Sequence, residues 1–298
     1  MLPAKRRTLR KSVLTDYIFL LPAILFFAVL IYYPAINAVY LSFFKYRING
    51  SIFIGLKNYI DLFQDPHFYP ESVMTTLQLG VWNVVLSFVI PLFIALVLFE
   101  LRSSRLQKSY QIVYYIPQLF SWAVVGGMFI IIFSPEGGIV NIIIKSFGGA
   151  PIRFMADNRW IQPILIASSV WKSMGAAVII YMASLLSIDQ QLFEAAAIDG
   201  VGMIKRNLYI VIPLLKPAIV TLFILNFTGQ LLMIDQGYNM VAPAVEEKGR
   251  TVMLFMLRNG YNNLRLGYAA AVSIIVFIAI FGLSIFNAKL TGWGKVED

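Results

Sequence analysis

Residue types able to perform chemistry are scarce in this sequence. His67 is the single histidine and cysteine is absent, which excludes a disulfide framework, thiolate metal sites, a cysteine nucleophile and a histidine-rich metal cluster. No HExxH, phosphate-binding glycine loop or GxSxG spacing occurs. No catalytic residue and no cofactor are therefore expected in the chain itself. Two groups of polar residues invite a functional reading instead. One is an acidic, alanine-rich stretch within 187–217; the other is a set of polar side chains inside apolar runs, Lys172 first among them.

The elements that must position these residues follow from composition. Of 298 residues 59% are hydrophobic and only 13% charged, whereas soluble domains average about 45–50% apolar and about 25% charged. The chain belongs in a membrane. A spanning helix needs about 20 mostly apolar residues, and six runs qualify: 17–43, 76–99, 112–134, 160–186 (interrupted by Lys172), 217–234 and 266–288. Pro22, Pro91, Pro117 and Pro163 within them read as ordinary kinks of membrane helices. The chain thus divides into a basic N-terminal segment 1–16, a first span 17–43, an outer loop 44–75, a core 76–288 with five spans, and a tail 289–298.

Charge sets the orientation. With the N-terminus inside, the inner segments carry 13 Lys and Arg and the longer outer loops 10, the bias expected of cytoplasmic loops. Both termini are predicted to be cytoplasmic, mainly because of Lys5, Arg6, Arg7, Arg10 and Lys11. That cluster resembles the start of a signal peptide, but the apolar run behind it is too long and lacks a small-x-small cleavage pattern. The net charge of +9 lies in short scattered clusters without a continuous basic stripe, so nucleic acid is not an expected partner. The outer loops 44–75 and 135–159 mix aromatics with Gly and Pro and read as ordered caps, and 229–265 as re-entrant or interfacial helices.

The stretch SIDQQLFEAAAIDGVGMIKRNLYIVIPLLKP, residues 187–217, does not fit a membrane interior. Asp189 suits an N-cap, Gln190, Gln191 and Glu194 suit a first turn at the positive end of the helix dipole, and Ala195, Ala196 and Ala197 are strong helix formers. Gly200 supplies a stop. Leu192, Ala195, Ala196 and Asp199 recur at helical spacing, giving one small apolar face that a partner's groove could approach closely. Pro213 and Pro217 should break the chain between this helix and the fifth span. The competing reading is an ordinary amphipathic loop helix.

Glu194-Ala195-Ala196, Asp199-Gly200, Ile210, Pro213 and Pro217 resemble the EAA motif of permease subunits in ABC importers. Ile212 stands where Leu is usual before the first Pro, and Val201 where Ala is common after the Gly. The Pro135–Asn141 stretch and Trp171-Lys172 resemble the carbohydrate-uptake branch, especially permeases for oligosaccharides derived from polysaccharides. The resemblance implies a type I ABC importer permease fold, all-α and integral to a bacterial cell membrane (plasma or inner), with six spans and a cytoplasmic coupling helix at 189–200. It implies an oligosaccharide substrate, a second permease subunit, two ATPase subunits that hold ATP and Mg, and an extracytoplasmic solute-binding protein. Coupling to the ATPase would fall to Glu194, Ala195, Ala196, Asp199, Gly200 and Pro213.

Polar groups within spans are costly and therefore candidates for a solute pathway. Lys172 could pair with sugar hydroxyls or a carboxylate, or hold helices together. Trp171, Tyr181, Asn226 and Gln230 offer the aromatic faces and planar amides that hold sugars, with inter-helix hydrogen bonding as the alternative for each. A stand-alone secondary transporter or channel is the rival reading, but it needs intramembrane carboxylates that the spans almost lack. An integral-membrane enzyme would need an acid–base device, and none is present.

Overall fold

The computed structural model describes residues 17–47, 50–101 and 103–291, apart from the side chains of 224, 227, 228, 230, 231 and 287–291. The basic segment 1–16, Arg102 and tail residues 292–298 lie outside the described residues. In chain order the elements are α1 (Tyr17–Ser42), β1 (Phe44–Lys45), β2 (Ile52–Phe53), α2 (Lys57–Gln64), α3 (Val73–Phe99), α4 (Ser104–Tyr115), α5 (Trp122–Ile132), α6 (Ile139–Ser146) and α7 (Ile161–Leu186). There follow α8 (Gln190–Ile198), α9 (Met203–Leu214), α10 (Lys216–Leu231), α11 (Asp235–Met240), α12 (Glu246–Gly249), α13 (Val252–Leu257) and α14 (Leu266–Thr291).

Among the described residues four helices are long and apolar enough to cross a membrane: Tyr17–Ser42, His67–Phe99, Ile161–Leu186 and Leu266–Phe286. Two bent pairs raise the count to as many as six, Ser104–Leu119 with Trp122–Ile132 at 100° and Met203–Leu214 with Lys216–Phe223 at 64°. The run predicted as a simple third span at 112–134 is thus two helices meeting almost at a right angle. The cause is local. Pro117 opens a 3₁₀ turn over Ile116–Leu119, Phe120 leaves it in an extended conformation, and Ser121 restarts the chain as the N-cap of α5, its Oγ accepting from Val124 N at 3.4 Å. The second bend falls at Leu215, between the prolines predicted to break the chain there.

The chain divides into two compact units, one of residues up to Gln64 with Arg258–Phe277, the other of Asp65–Leu257 with the remainder of α14. In the first, β1 and β2 pair antiparallel with Phe44 opposite Phe53. Buried Asn58 donates to the carbonyls of Ser42 and Phe44 at 2.8 and 3.0 Å, tying α2 to the end of α1.

In the second unit α3 and α7 form the central pair, and two apolar clusters pack at their opposite ends. Toward the C-terminal ends, Ala95 and Leu98 of α3 meet Val178, Tyr181 and Leu185 of α7, with Val211, Leu215 and Leu222 completing the cluster. Toward the other ends, Leu79, Ile161 and Leu165 pack with Met240, Val241, Val245 and Leu254. The loops here are held by polar contacts. Asn141, 1% exposed, donates to Ser134 O and Ile152 O and accepts from Ile152 N, so the Pro135–Asn141 stretch closes on itself. The guanidinium of Arg250 bridges Glu71 at 2.5 Å and Glu246 at 3.1 Å, and Val252 N donates to Thr76 Oγ1, which locks the segment 246–252 onto the start of α3. On the exposed loop before α7, hydrogen bonds from Arg159 hold the Asp157 carboxyl below the usual carboxylate range.

Helix α4 rests on α7 at Gly175. A Cβ there would stand 2.2 Å from Tyr114 O, closer than any real contact. Gly175→Ala should force the two helices apart and cost about 1–3 kcal/mol, read as a lowered thermal unfolding temperature of the detergent-solubilised protein. An unchanged melting temperature would mean that the α4–α7 approach is not tight.

Candidate functional site

Helix α8 is built as its sequence prescribes. The Asp189 carboxylate accepts from Gln191 N at 3.0 Å, and the helix runs to Ile198. It ends in a Schellman motif: Gly200 N donates to Ala197 O at 3.1 Å and Val201 N to Ala196 O at 2.9 Å. Gly200 adopts φ +66°, a left-handed conformation that favours glycine. Asp189 and Gly200 therefore fix both ends of a two-and-a-half-turn rod.

Only Phe193 and Ala196 of α8 turn inward; the other seven residues are exposed. This corrects the predicted docking face in one place. Ala196 is 4% exposed and packs against the protein, so it cannot present itself to a partner; the helix phase places it under Phe193. Glu194, Ala195, Asp199 and Gly200 are exposed. Beside them lie large apolar side chains in the open: Ile198 at 86% exposure, Ile204 at 71%, with Leu192 and Met203. An exposed apolar patch of this kind is a contact surface for a protein or a membrane. Ile198, Met203 and Ile204 escape a motif-based reading, although apolar residues in a stretch predicted to lie outside the membrane were the available signal. Pro213 is exposed within α9, two residues before the 64° bend.

The predicted pathway residues do not converge. The Lys172 ammonium donates to the carbonyls of Gln118 at 3.0 Å and Phe120 at 2.6 Å, and stands 5.6 Å from the Trp122 ring centroid. Those carbonyls belong to the break between α4 and α5, where no helical N–H can reach them. Of the two roles open to Lys172, the structure displays the helix-holding one. Tyr181 is fully buried in the α3–α7 core, its hydroxyl among the buried polar atoms without a partner, and so lines no open surface. It leaves the set of candidate liners. Trp171 is half-buried, packs against Phe129 at 5.9 Å between centroids, and lines a cavity of about 600 Å³. That cavity lies between α3 and α7, and Trp82, which the sequence does not single out, lines it too. Asn226, half-buried on α10, donates to Leu222 O at 3.0 Å. Gln230 is on the same helix, with its side chain outside the described ones.

Comparison with known proteins gives a class to this helical membrane protein with an exposed, doubly capped helix just before a broken span. Residues 87–290 match the family described as binding-protein-dependent transport system inner membrane component, and the chain belongs to that family. It is a transport component rather than an enzyme. The chain is 32% identical over 286 residues to the polygalacturonan/rhamnogalacturonan transport system permease protein YteP of Bacillus subtilis, covering 94% of this chain and 88% of the relative. It is 29% identical to the arabinooligosaccharides transport system permease protein AraP of the same species, covering 94% and 90%. The fold is similar to that of a bacterial ABC transporter involved in import of the acidic polysaccharide alginate. The TM-score there is 0.88 at 26% identity, over 97% of this chain and 99% of that one. A second structure of a bacterial alginate ABC transporter, in complex with an alginate pentasaccharide-bound periplasmic protein, matches with a TM-score of 0.86 at 25% identity, over 94% and 95%.

Removing the ammonium while keeping the stem, as in Lys172→Met, leaves two carbonyls without their charged donor. Stability should fall by about 3 kcal/mol, measured by thermal unfolding in detergent, with less loss in Lys172→Arg. Full stability combined with altered preference between charged and neutral solutes would assign the ammonium to the solute instead.

Proposed function

We propose that this chain is one permease subunit of an ATP-driven importer of oligosaccharides, working by alternating access with energy delivered at α8. The exposed, rigidly capped α8 with Glu194, Ala195, Asp199 and Gly200 beside Ile198, Met203 and Ile204 is the observation that carries this reading. In it α8 docks in a groove of a cytoplasmic ATPase, which holds ATP and Mg. Both termini are cytoplasmic, and the membrane is the cell membrane of a bacterium. A second, different permease subunit completes the pore, two ATPase subunits drive it, and an extracytoplasmic binding protein delivers the sugar.

The substrate class rests on the relatives, whose names speak of polygalacturonan, rhamnogalacturonan, arabinooligosaccharides and alginate. Trp171, facing the α3–α7 cavity together with Trp82, and the amides of Asn226 and Gln230 supply aromatic faces and hydrogen-bonding groups suited to sugar rings.

The test is reconstitution of the complete transporter. Glu194→Ala and Gly200→Val should leave membrane insertion intact, reduce oligosaccharide uptake by about tenfold or more, and abolish stimulation of ATP hydrolysis by the loaded binding protein. Normal uptake in both variants overturns the coupling role of α8. Stimulation of the wild-type complex by acidic or neutral oligosaccharides, compared across a panel, assigns the substrate; stimulation by neither removes the sugar reading.

A further inference from the structure

Helix α8 is joined to its neighbours by connections ill suited to transmitting force. At one end the chain passes through Ser187 and Ile188; at the other, Gly200, Val201 and Gly202 separate it from α9. Beside the short turn after α7, in which Ile188 packs on the core, motion imposed on α8 can reach the spans through side chains. Of the two that turn inward, Ala196 is small, and Phe193 reaches furthest.

Phe193 is held on two sides. Its ring lies 5.4 Å from that of Phe99, at the last residue of α3, with a tilt of 42°. The guanidinium of Arg206, on α9, stands 5.4 Å from the same ring centroid. Arg206 in turn pairs with Glu100, the C-cap of α3, through Nη2 and Oε1. Arg206 is half-buried, with 19% of its side chain exposed, and Glu100 stands at the surface with 33% exposed. Phe99 and Phe193 both lie against the core cluster of α3, α7, α9 and α10.

An exposed ion pair would contribute little, and a screened one is cheaply replaced. This one is different in construction. Arginine's planar fork meets a carboxylate on one span while its face covers an aromatic ring on α8, so a single side chain ties three elements together.

We propose that Glu100, Phe193 and Arg206 form the mechanical linkage that carries displacement of α8 into the second span and into α9, and thus into the bend at Leu215. This rests on the reading of α8 as the ATPase-docking helix. Arg206 and Glu100 are positioning residues: they act through Phe193, not on solute or ATP.

The experiment uses the complete reconstituted transporter, with binding protein and ATPase subunits. Glu100→Gln and Arg206→Ala should each lower uptake about tenfold and abolish stimulation of ATP hydrolysis by the loaded binding protein, while basal hydrolysis and assembly, checked by size exclusion, persist. The double variant should be no worse than the more affected single one. Phe193→Leu, which loses the contacts of its ring with Phe99 and Arg206, should lower uptake at least as much as the other two; unimpaired uptake in it overturns the linkage. Losses that multiply in the double variant, or uptake like wild type in all variants, overturn the linkage. If Arg206→Ala does not assemble, Glu100→Gln and Arg206→Lys decide: unimpaired stimulation in both overturns it. Glu194→Ala serves as the reference. If it uncouples while the linkage variants do not, only the linkage fails; if it also transports normally, the docking role of α8 fails first.

Discussion

A helix that breaks inside an apolar environment exposes carbonyls that water cannot satisfy, and every such break must be matched by a donor supplied from elsewhere in the chain. The bend between α4 and α5 is the clearest instance. Pro117 removes a donor and Phe120 turns extended, which leaves the carbonyls of Gln118 and Phe120 to the Lys172 ammonium. One turn along the same helix, Gly175 lets Tyr114 approach without a Cβ between them. A charged side chain and an absent one therefore cooperate to seat the broken third run on α7. Without that pair, α7 could not serve both as the partner of α3 and as the platform for α4.

The second break obeys the same constraint by different means. Pro217 has no N–H to lose, and Leu215 N is satisfied by Val211 O at 2.9 Å, so the 64° bend leaves little backbone unsatisfied. One bend is bound to α7 by a lysine; the other is held by apolar packing of Val211, Leu215 and Leu222.

Local chemistry was legible in the sequence where a single residue type decides the outcome. Asp189 caps α8, Gly200 stops it, and the two prolines bracket the bend, each for reasons of its own backbone or side chain. Spans were legible because lipid demands long apolar runs. What a lone sequence does not reveal is the phase of a short helix and the identity of distant partners. Ala195 and Ala196 are indistinguishable by composition, yet one faces out and the other in, because Phe193 anchors the phase. Tyr181 has the makings of a sugar ligand, and burial between α3 and α7 removes it. Glu100 and Arg206 are separated by 106 residues, and nothing in either's neighbourhood announces the other.

The scarcity of charge gains a sharper meaning from these placements. In a chain with 13% charged residues, those that reach inward sit at joints between elements: Lys172 at the break of the third run, Arg250 at the segment closing on α3, Arg206 between α3, α8 and α9. Each cation spans elements far apart in sequence, and all three also lie over an aromatic ring: Trp122, Phe255 and Phe193 respectively. Apolar contacts in lipid discriminate weakly among alternative alignments, since lipid is as good a partner as another helix. A directional cation at each joint fixes which element meets which.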